Sequence, residues 1–321
     1  CFAHFNCGKL GVSLDLNNEA ARTVLVDLAR WADVVIESYT PGVMKAWGLD
    51  YESLRAINPR LVMMSTSLMG QTGPLSTFAG FGNLAAAITG FYELTGWPDR
   101  SPAGPFLAYT DYVAPRFAVA ALLAALDWRR RTGQGQFLDF SQAEAAIHFL
   151  APAILDHTVN GAEPTRQGNA DPYDEPHGVY RCLGDDCWVA IACETDEQRK
   201  ALAEEIGGLT DDAISTWTGG RSVTEAENAL QAVGVPVHGV QNSAECWADA
   251  QLQHRNHFLT VAHPVHDTCI VEAPREVLSR TPGQVRRAGP AMGEHNDVVL
   301  RELLGYDDDT ITNLVIAGAL G

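Results

Sequence analysis

The chain is predicted to be an α/β protein with a second, smaller α+β part. Two observations carry that prediction. Short apolar runs at Val34–Ile36, Leu61–Ser67 and Gln136–Phe140 alternate with segments whose apolar residues recur at helical spacing, the pattern of parallel βαβ units. Composition then shifts near residue 164, where "PTRQGNADPYDEPHG" is rich in Pro, Gly, Asn and Asp and reads as a linker. The expected division is a large domain over 1–165, a linker over 166–178, a small α+β domain over 179–275, and a C-terminal segment over 276–321.

Taken in order, Val12 to Leu16 reads as a short strand. Asn17 is placed to cap the next helix, and Glu19 puts a carboxylate in its first turn. Ala20, Val24, Leu25, Leu28 and Trp31 give that helix its apolar stripe. The three runs named above follow as strands, with turns and short helices from Ser38 to Arg60. "GQTGPLSTFAGFG" is a glycine-rich loop, and a helix is expected from about Asn83 to Leu94.

The next helix, from about Tyr112 to Arg131, is apolar on nearly every face, so burial is expected. Arg129, Arg130 and Arg131 complement its dipole, Gly133 can end it, and Ser141 can cap the helix after the following strand. "GVYRCLGDDCWVAIAC" reads as a β-hairpin turning at Gly184-Asp185-Asp186. "GVPVHGV" and "HPVHDTCIVEAP" read as further β structure, Ala244 to His254 as one helix, and the tail as helical.

Bulk properties exclude some classes. A net charge of −18 argues against nucleic acid, whose phosphates need neutralising by Lys and Arg. The longest apolar run, Phe117 to Trp128, is interrupted by Asp127 and too short for a membrane span. Seven scattered cysteines do not form a disulfide framework, and a reducing cytoplasm is the expected location. The chain begins at Cys1 rather than Met, and a preceding stretch is expected to be absent from this sequence.

Asp111 is the residue of most interest. It stands at the mouth of the long apolar helix, where Asp is favoured as an N-cap. The same place supports chemistry: free N–H groups at a helix start favour negative charge, and an ionised carboxylate in a dry pocket can attack an activated acyl group. "GFGNLA" from Gly80 matches part of a dinucleotide fingerprint but lacks the preceding strand, so a flexible loop over a site fits better. Cys182, Cys187 and Cys193, and the pairs His254/His257 and His263/His266, have the wrong spacing or context for zinc; no metal site is expected. Phe81, Phe106 and Tyr109 are candidate walls of an acyl pocket.

Several segments together resemble the class III coenzyme A transferases (CaiB/BaiF type), the family of formyl-CoA transferase and the carnitine and bile-acid CoA transferases. They are "GVSLDLN", "ADVVIESYTPGVMKAWGLDYESLRAINPRLVMMSTS", "GQTGP", the Gly104–Gln136 stretch through "RTGQGQFLDFSQAEA", "GNADPYDEPHGVYRC", "VGVPVHGVQNSAE" and "GEHNDVVLRELLGY". They occur in family order and cover nearly the whole chain.

The resemblance implies a Rossmann-like large domain, a small domain, a C-terminal segment returning to the large one, and an interlocked homodimer. It implies that Asp111 is the nucleophile, with acyl-CoA and a carboxylic acid as substrates and no permanently bound cofactor. CoA contacts are implied at Leu14, Asp15, Leu16 and Asn17 and at Ser38, Tyr39 and Thr40, and a substrate loop at Gly80, Phe81 and Gly82. Some residues depart from the pattern. "ESYTPG" lacks an arginine of the usual "ENFRPG", Ala46 replaces a common basic residue beside Lys45, and Asn17 replaces a lysine.

Two alternatives follow: a non-catalytic CoA-transferase-like partner subunit, or half of a tandem fusion. A third, α-methylacyl-CoA racemase, needs a second base, and Phe81 stands where that family's histidine would be.

Overall fold

The computed structural model describes residues 2–320. They form a mixed α/β structure in two compact units. The larger unit takes residues up to Phe91, then Gly104–Ala162 and everything from Gln251; the smaller takes Tyr92–Ala103 and Glu163–Ala250.

The larger unit is built on a parallel three-stranded sheet, β1 (Val34–Glu37), β2 (Val62–Ser67) and β3 (Gln136–Ser141), in that order. Ile36 pairs with Met64, and Met64 with Leu138. Helices α1 (Glu19–Trp31) and α2 (Tyr51–Ile57) sit over one face, where Ala29, Leu49, Leu54, Leu61 and Met63 form a core cluster. Asn18, not Asn17, caps α1 by accepting from the Ala20 N–H at 2.9 Å; Asn17 turns back to Asp15 instead.

Helices α3 (Gly82–Ile88), α4 (Tyr109–Thr132) and α5 (Gln142–Ile147) pack together, with α4 also lying on β2 and β3. The helix expected from Asn83 to Leu94 is broken at Gly90, which takes φ 102°, and resumes as a short turn over Phe91–Leu94.

Two expectations need correction here. Residues 12–16 form no strand: the Ser13 and Asp15 N–H groups are taken by the other end of the chain, and Leu16 already lies in a turn. The Gly11 N–H donates to His295 Nδ1, the Ser13 N–H to Asn296 Oδ1, and the Asp15 N–H to the Ala319 carbonyl. Leu14 accordingly joins the cluster of Ala21, Val24, Leu300, Leu314 and Ala319, which fastens α1 to the final helix, Asp308–Ile316.

Helix α4 is not buried. Among its residues only Thr110, Ala114 and Ala125 are enclosed, while Tyr112, Val119, Leu123 and Trp128 are exposed. Its apolar circumference exceeds what one chain covers.

A hairpin of β7 (Phe258–His263) and β8 (Asp267–Glu272) belongs to the larger unit, so the compact smaller unit ends at Ala250 rather than 275. His263 and His266 lie in its turn, with their rings stacked 4.7 Å apart. The helix expected over Ala244–His254 is two short ones, Ser243–Ala248 and Ala250–His254.

The smaller unit has an antiparallel sheet of β4 (His177–Arg181), β5 (Trp188–Ala192) and β6 (Val237–Gly239). Its core joins Tyr180, Val189 and Ile191 to Leu202, Ile214, Trp217 and Leu230, the last four carried on helices 196–206, 211–219 and 223–232. Thr195 and Ser222 start two of these helices with reciprocal capping boxes, each satisfying otherwise orphaned N–H groups. Cys182 and Cys193 are buried here as thiols, and burial pushes both up. Among the described residues no group of His, Cys, Asp or Glu could hold a metal, and no helix is long and apolar enough to cross a membrane.

Candidate active site

The carboxyl ends of all three parallel strands converge on one place. β1 leads into Ser38–Thr40, β2 ends at Ser67, and β3 runs through Ser141 into Gln142. Open parallel sheets bind ligands at this end, where loops rather than strands carry the side chains.

Asp111 comes to this place from α4. It is the third helical residue rather than the cap, since the helix begins at Tyr109 and its own N–H bonds the Ala108 carbonyl at 2.9 Å. In the first turn it still faces the positive end of the helix dipole. Pro115, one turn on, has no N–H, so the Asp111 carbonyl lacks its usual helical donor.

The carboxylate is held from two sides. The Gly82 N–H donates to Oδ2 at 3.3 Å, and Gln142 Nε2 donates to Oδ1. A third residue ties the two donors together. Fully buried Thr110 donates its hydroxyl hydrogen to the Gly82 carbonyl at 3.0 Å and accepts from Gln142 Nε2 at 2.9 Å.

This closed set fixes which way round the Gln142 amide stands. The single Thr110 hydrogen is committed to Gly82, and a carboxylate can only accept, so the group facing both must be the NH₂. Each of its two hydrogens then has one acceptor.

Gly82 is a close approach of backbone to side chain. A β-carbon there would lie 2.9 Å from the Ala108 carbonyl oxygen and from Asp111 Cγ and Oδ2. The loop at Gly80, Phe81 and Gly82 is therefore brought against Asp111.

A cavity of about 520 Å³ opens beside the carboxylate. Ile36, Met64, Leu68, Phe140 and the α4 residues Ala114, Ala118 and Leu122 line it, and Asp111 is its one charged group. An adjoining groove of about 390 Å³ contains Ser38, Tyr39, Thr40 and Pro41, and shares Ser38, Ser67, Leu68, Gly80 and Phe81 with the cavity. The Ser67 hydroxyl is buried there without a hydrogen-bond partner.

The expected walls are thus only partly right. Phe81 lines both spaces, but Phe106 is 87% exposed, and Tyr109 packs its ring 5.3 Å from that of Phe91. Leu14 and Asp15 are engaged with the C-terminal segment, and none of Leu14, Asp15, Leu16 and Asn17 lines the cavity or the groove. Sequence reading missed Thr110 and Gln142. The signal for Gln142 was available: a polar residue directly after a parallel strand, at the start of a helix.

Comparison with known proteins shows what the chain is similar to. The chain is 30% identical over 326 residues to succinyl-CoA–D-citramalate CoA-transferase of Chloroflexus aurantiacus, a match spanning 95% of this chain and 81% of that protein. It is 32% identical over 320 residues to succinate–glutarate CoA-transferase of Agrobacterium fabrum, covering 93% and 79% respectively. The crystal structure of a CAIB/BAIF family protein from Brucella suis superposes with a TM-score of 0.85 at 28% identity, covering 94% of this chain and 83% of that one. The family model for CoA-transferase family III matches residues 1–296, and to that family the chain belongs.

Proposed function

We propose that the protein transfers coenzyme A between carboxylic acids, with Asp111 as the covalent nucleophile. The observation that carries this reading is the Asp111 carboxylate itself, held by the Gly82 and Gln142 donors where a cavity meets a groove at the carboxyl ends of the strands. Family membership supplies the reaction class; the relatives, a succinyl-CoA–D-citramalate and a succinate–glutarate CoA-transferase, support acyl-CoA donors and carboxylate acceptors.

Asp111 attacks the thioester carbon of an acyl-CoA, the carbon–sulfur bond breaks, and a mixed anhydride and CoA thiolate result. The thiolate attacks the aspartyl carbonyl, giving an aspartyl-CoA thioester and the free acid. The acceptor acid then runs the two steps in reverse. Each exchange is split into covalent steps of lower barrier. CoA lies along the groove of Ser38, Tyr39 and Thr40, with Tyr39 exposed for stacking, and the Gly80–Gly82 loop walls the reacting atoms.

The protein works as a homodimer in this reading. The exposed Val119, Leu123 and Trp128 of α4 support it, since a helix apolar all round calls for cover. Sedimentation should give twice the chain mass.

The test of the chemistry is direct. The protein is mixed with acetyl-, succinyl- and butyryl-CoA in turn and quenched with hydroxylamine, and the peptide carrying Asp111 is weighed. A hydroxamate on Asp111 that depends on acyl-CoA is expected, with none in Asp111→Asn. An unmodified Asp111 with all three donors would sink the reading.

A further inference from the structure

The geometry points to Gln142 as the donor that stabilises the oxyanion formed on Asp111 itself, and to Oδ2 as the oxygen that attacks. The inference rests on the covalent reading above and assigns its atoms.

The two carboxylate oxygens are held unequally. Oδ1 is in close contact with Gln142 Nε2, whose other hydrogen is engaged by Thr110 Oγ1. Oδ2 has only the Gly82 N–H, at 3.3 Å, near the outer limit of a hydrogen bond. The side-chain amide that Thr110 anchors is aimed at Oδ1, and Oδ2, with its long backbone contact, is the freer oxygen to attack.

The consequence lies in the later steps. When Oδ2 bonds the acyl carbon and CoA thiolate leaves, Oδ1 becomes the carbonyl oxygen of the aspartyl half of the anhydride. The thiolate next attacks Asp111 Cγ, and the pair of electrons displaced from the C=O bond settles on Oδ1. Collapse of that tetrahedral centre breaks the Cγ–Oδ2 bond and releases the donor acid as its carboxylate, carrying Oδ2 away. Attack of the acceptor carboxylate on the aspartyl thioester places charge on Oδ1 again, and the carbon–sulfur bond breaks. One negative charge is conserved throughout, and no proton moves.

Charge therefore appears on Oδ1 twice per turnover, each time facing the Gln142 NH₂. A donor already aimed where charge develops needs no reorganisation, which is what makes such a contact catalytic. Thr110 is a positioning residue here. Fully buried and anchored to the Gly82 carbonyl, it holds the Gln142 amide with its hydrogens towards the carboxylate.

The test separates the steps. The full chain, wild type, Gln142→Leu and Gln142→Met, is mixed with an equivalent of radiolabelled acetyl-, succinyl- or butyryl-CoA and denatured at intervals. Protein-bound CoA reports the aspartyl thioester; free CoA in a burst equal to the enzyme reports the anhydride. Wild type should accumulate protein-bound CoA.

Gln142→Leu should still give the free-CoA burst but form protein-bound CoA about 10²–10³-fold more slowly, with KM for acyl-CoA within a few-fold, the cost of losing one oxyanion donor. Gln142→Met keeps the length, carries no donor, and should behave alike, so one variant remains if the other does not fold. Protein-bound CoA appearing at the wild-type rate in either variant would overturn the assignment to Gln142 and leave the covalent reading standing. Absence of any adduct in the wild type would remove both.

Discussion

The Gly82 α-carbon stands so close to Asp111 that a methyl group there would sit 2.9 Å from the carboxylate carbon. The same residue's N–H reaches Asp111 Oδ2. Gly82→Ala should therefore push the carboxylate away while leaving every polar group in place. We expect kcat to fall about 10²-fold, as a displacement near 1 Å does, and stability to drop by about 1–3 kcal/mol from overpacking. Steady-state kinetics with thermal unfolding checks both, and an active Gly82→Ala enzyme would show that the loop gives way.

Gly133 and Gly135, two residues apart, should respond very unequally to the same change. Gly133 ends α4 at φ 77° with open space around it, so Ala there costs only the left-handed backbone strain, about 1 kcal/mol. At Gly135 an added β-carbon would lie 1.9 Å from the Leu61 carbonyl oxygen, which is backbone and cannot rotate aside. Gly135→Ala should cost about 3 kcal/mol or fail to fold. Urea midpoints of the two variants make the comparison.

Tyr180 should make the smaller unit sensitive to alkali. Burial, and then the Asp211 carboxylate that accepts its hydroxyl hydrogen at 2.9 Å, push the phenol well above its ordinary value. A raised value means that the neutral form is the one the fold favours. The contribution, about 1 kcal/mol, is complete below about pH 10 and is lost as pH rises through the folded value. The melting-temperature advantage of wild type over Tyr180→Phe should be constant from pH 7 to 9 and shrink above pH 10.

The parallel sheet was legible because its strands are short apolar runs punctuated by turn residues, and each was placed within a residue of where it lies. Asp111 was legible as a position but not as a constellation. Gln142 lies 31 residues away and Gly82 lies 29 away, and only the folding of β3 and α3 against α4 brings them to its two oxygens. The segment at 12–16 has the alternation of a strand, but alternation cannot tell whether the neighbouring backbone is a strand or, as here, the irregular segment at Ala319. The apolar circumference of α4 predicted burial, which the described chain by itself does not provide.

The chain enters the smaller unit twice, at Tyr92 and at Glu163, and finally leaves it after Ala250. A growing polypeptide therefore cannot finish that unit until Ala250 has emerged from the ribosome. The larger unit waits longer still, since Val24 finds its neighbours Leu300 and Leu314 only at the far end. Synthesis should thus close the smaller unit first and the larger one last, with the Ala21 and Val24 face of α1 left open meanwhile. Apolar surface left open over that interval is what chaperones bind, so demand for them should peak before Leu300 and Leu314 arrive.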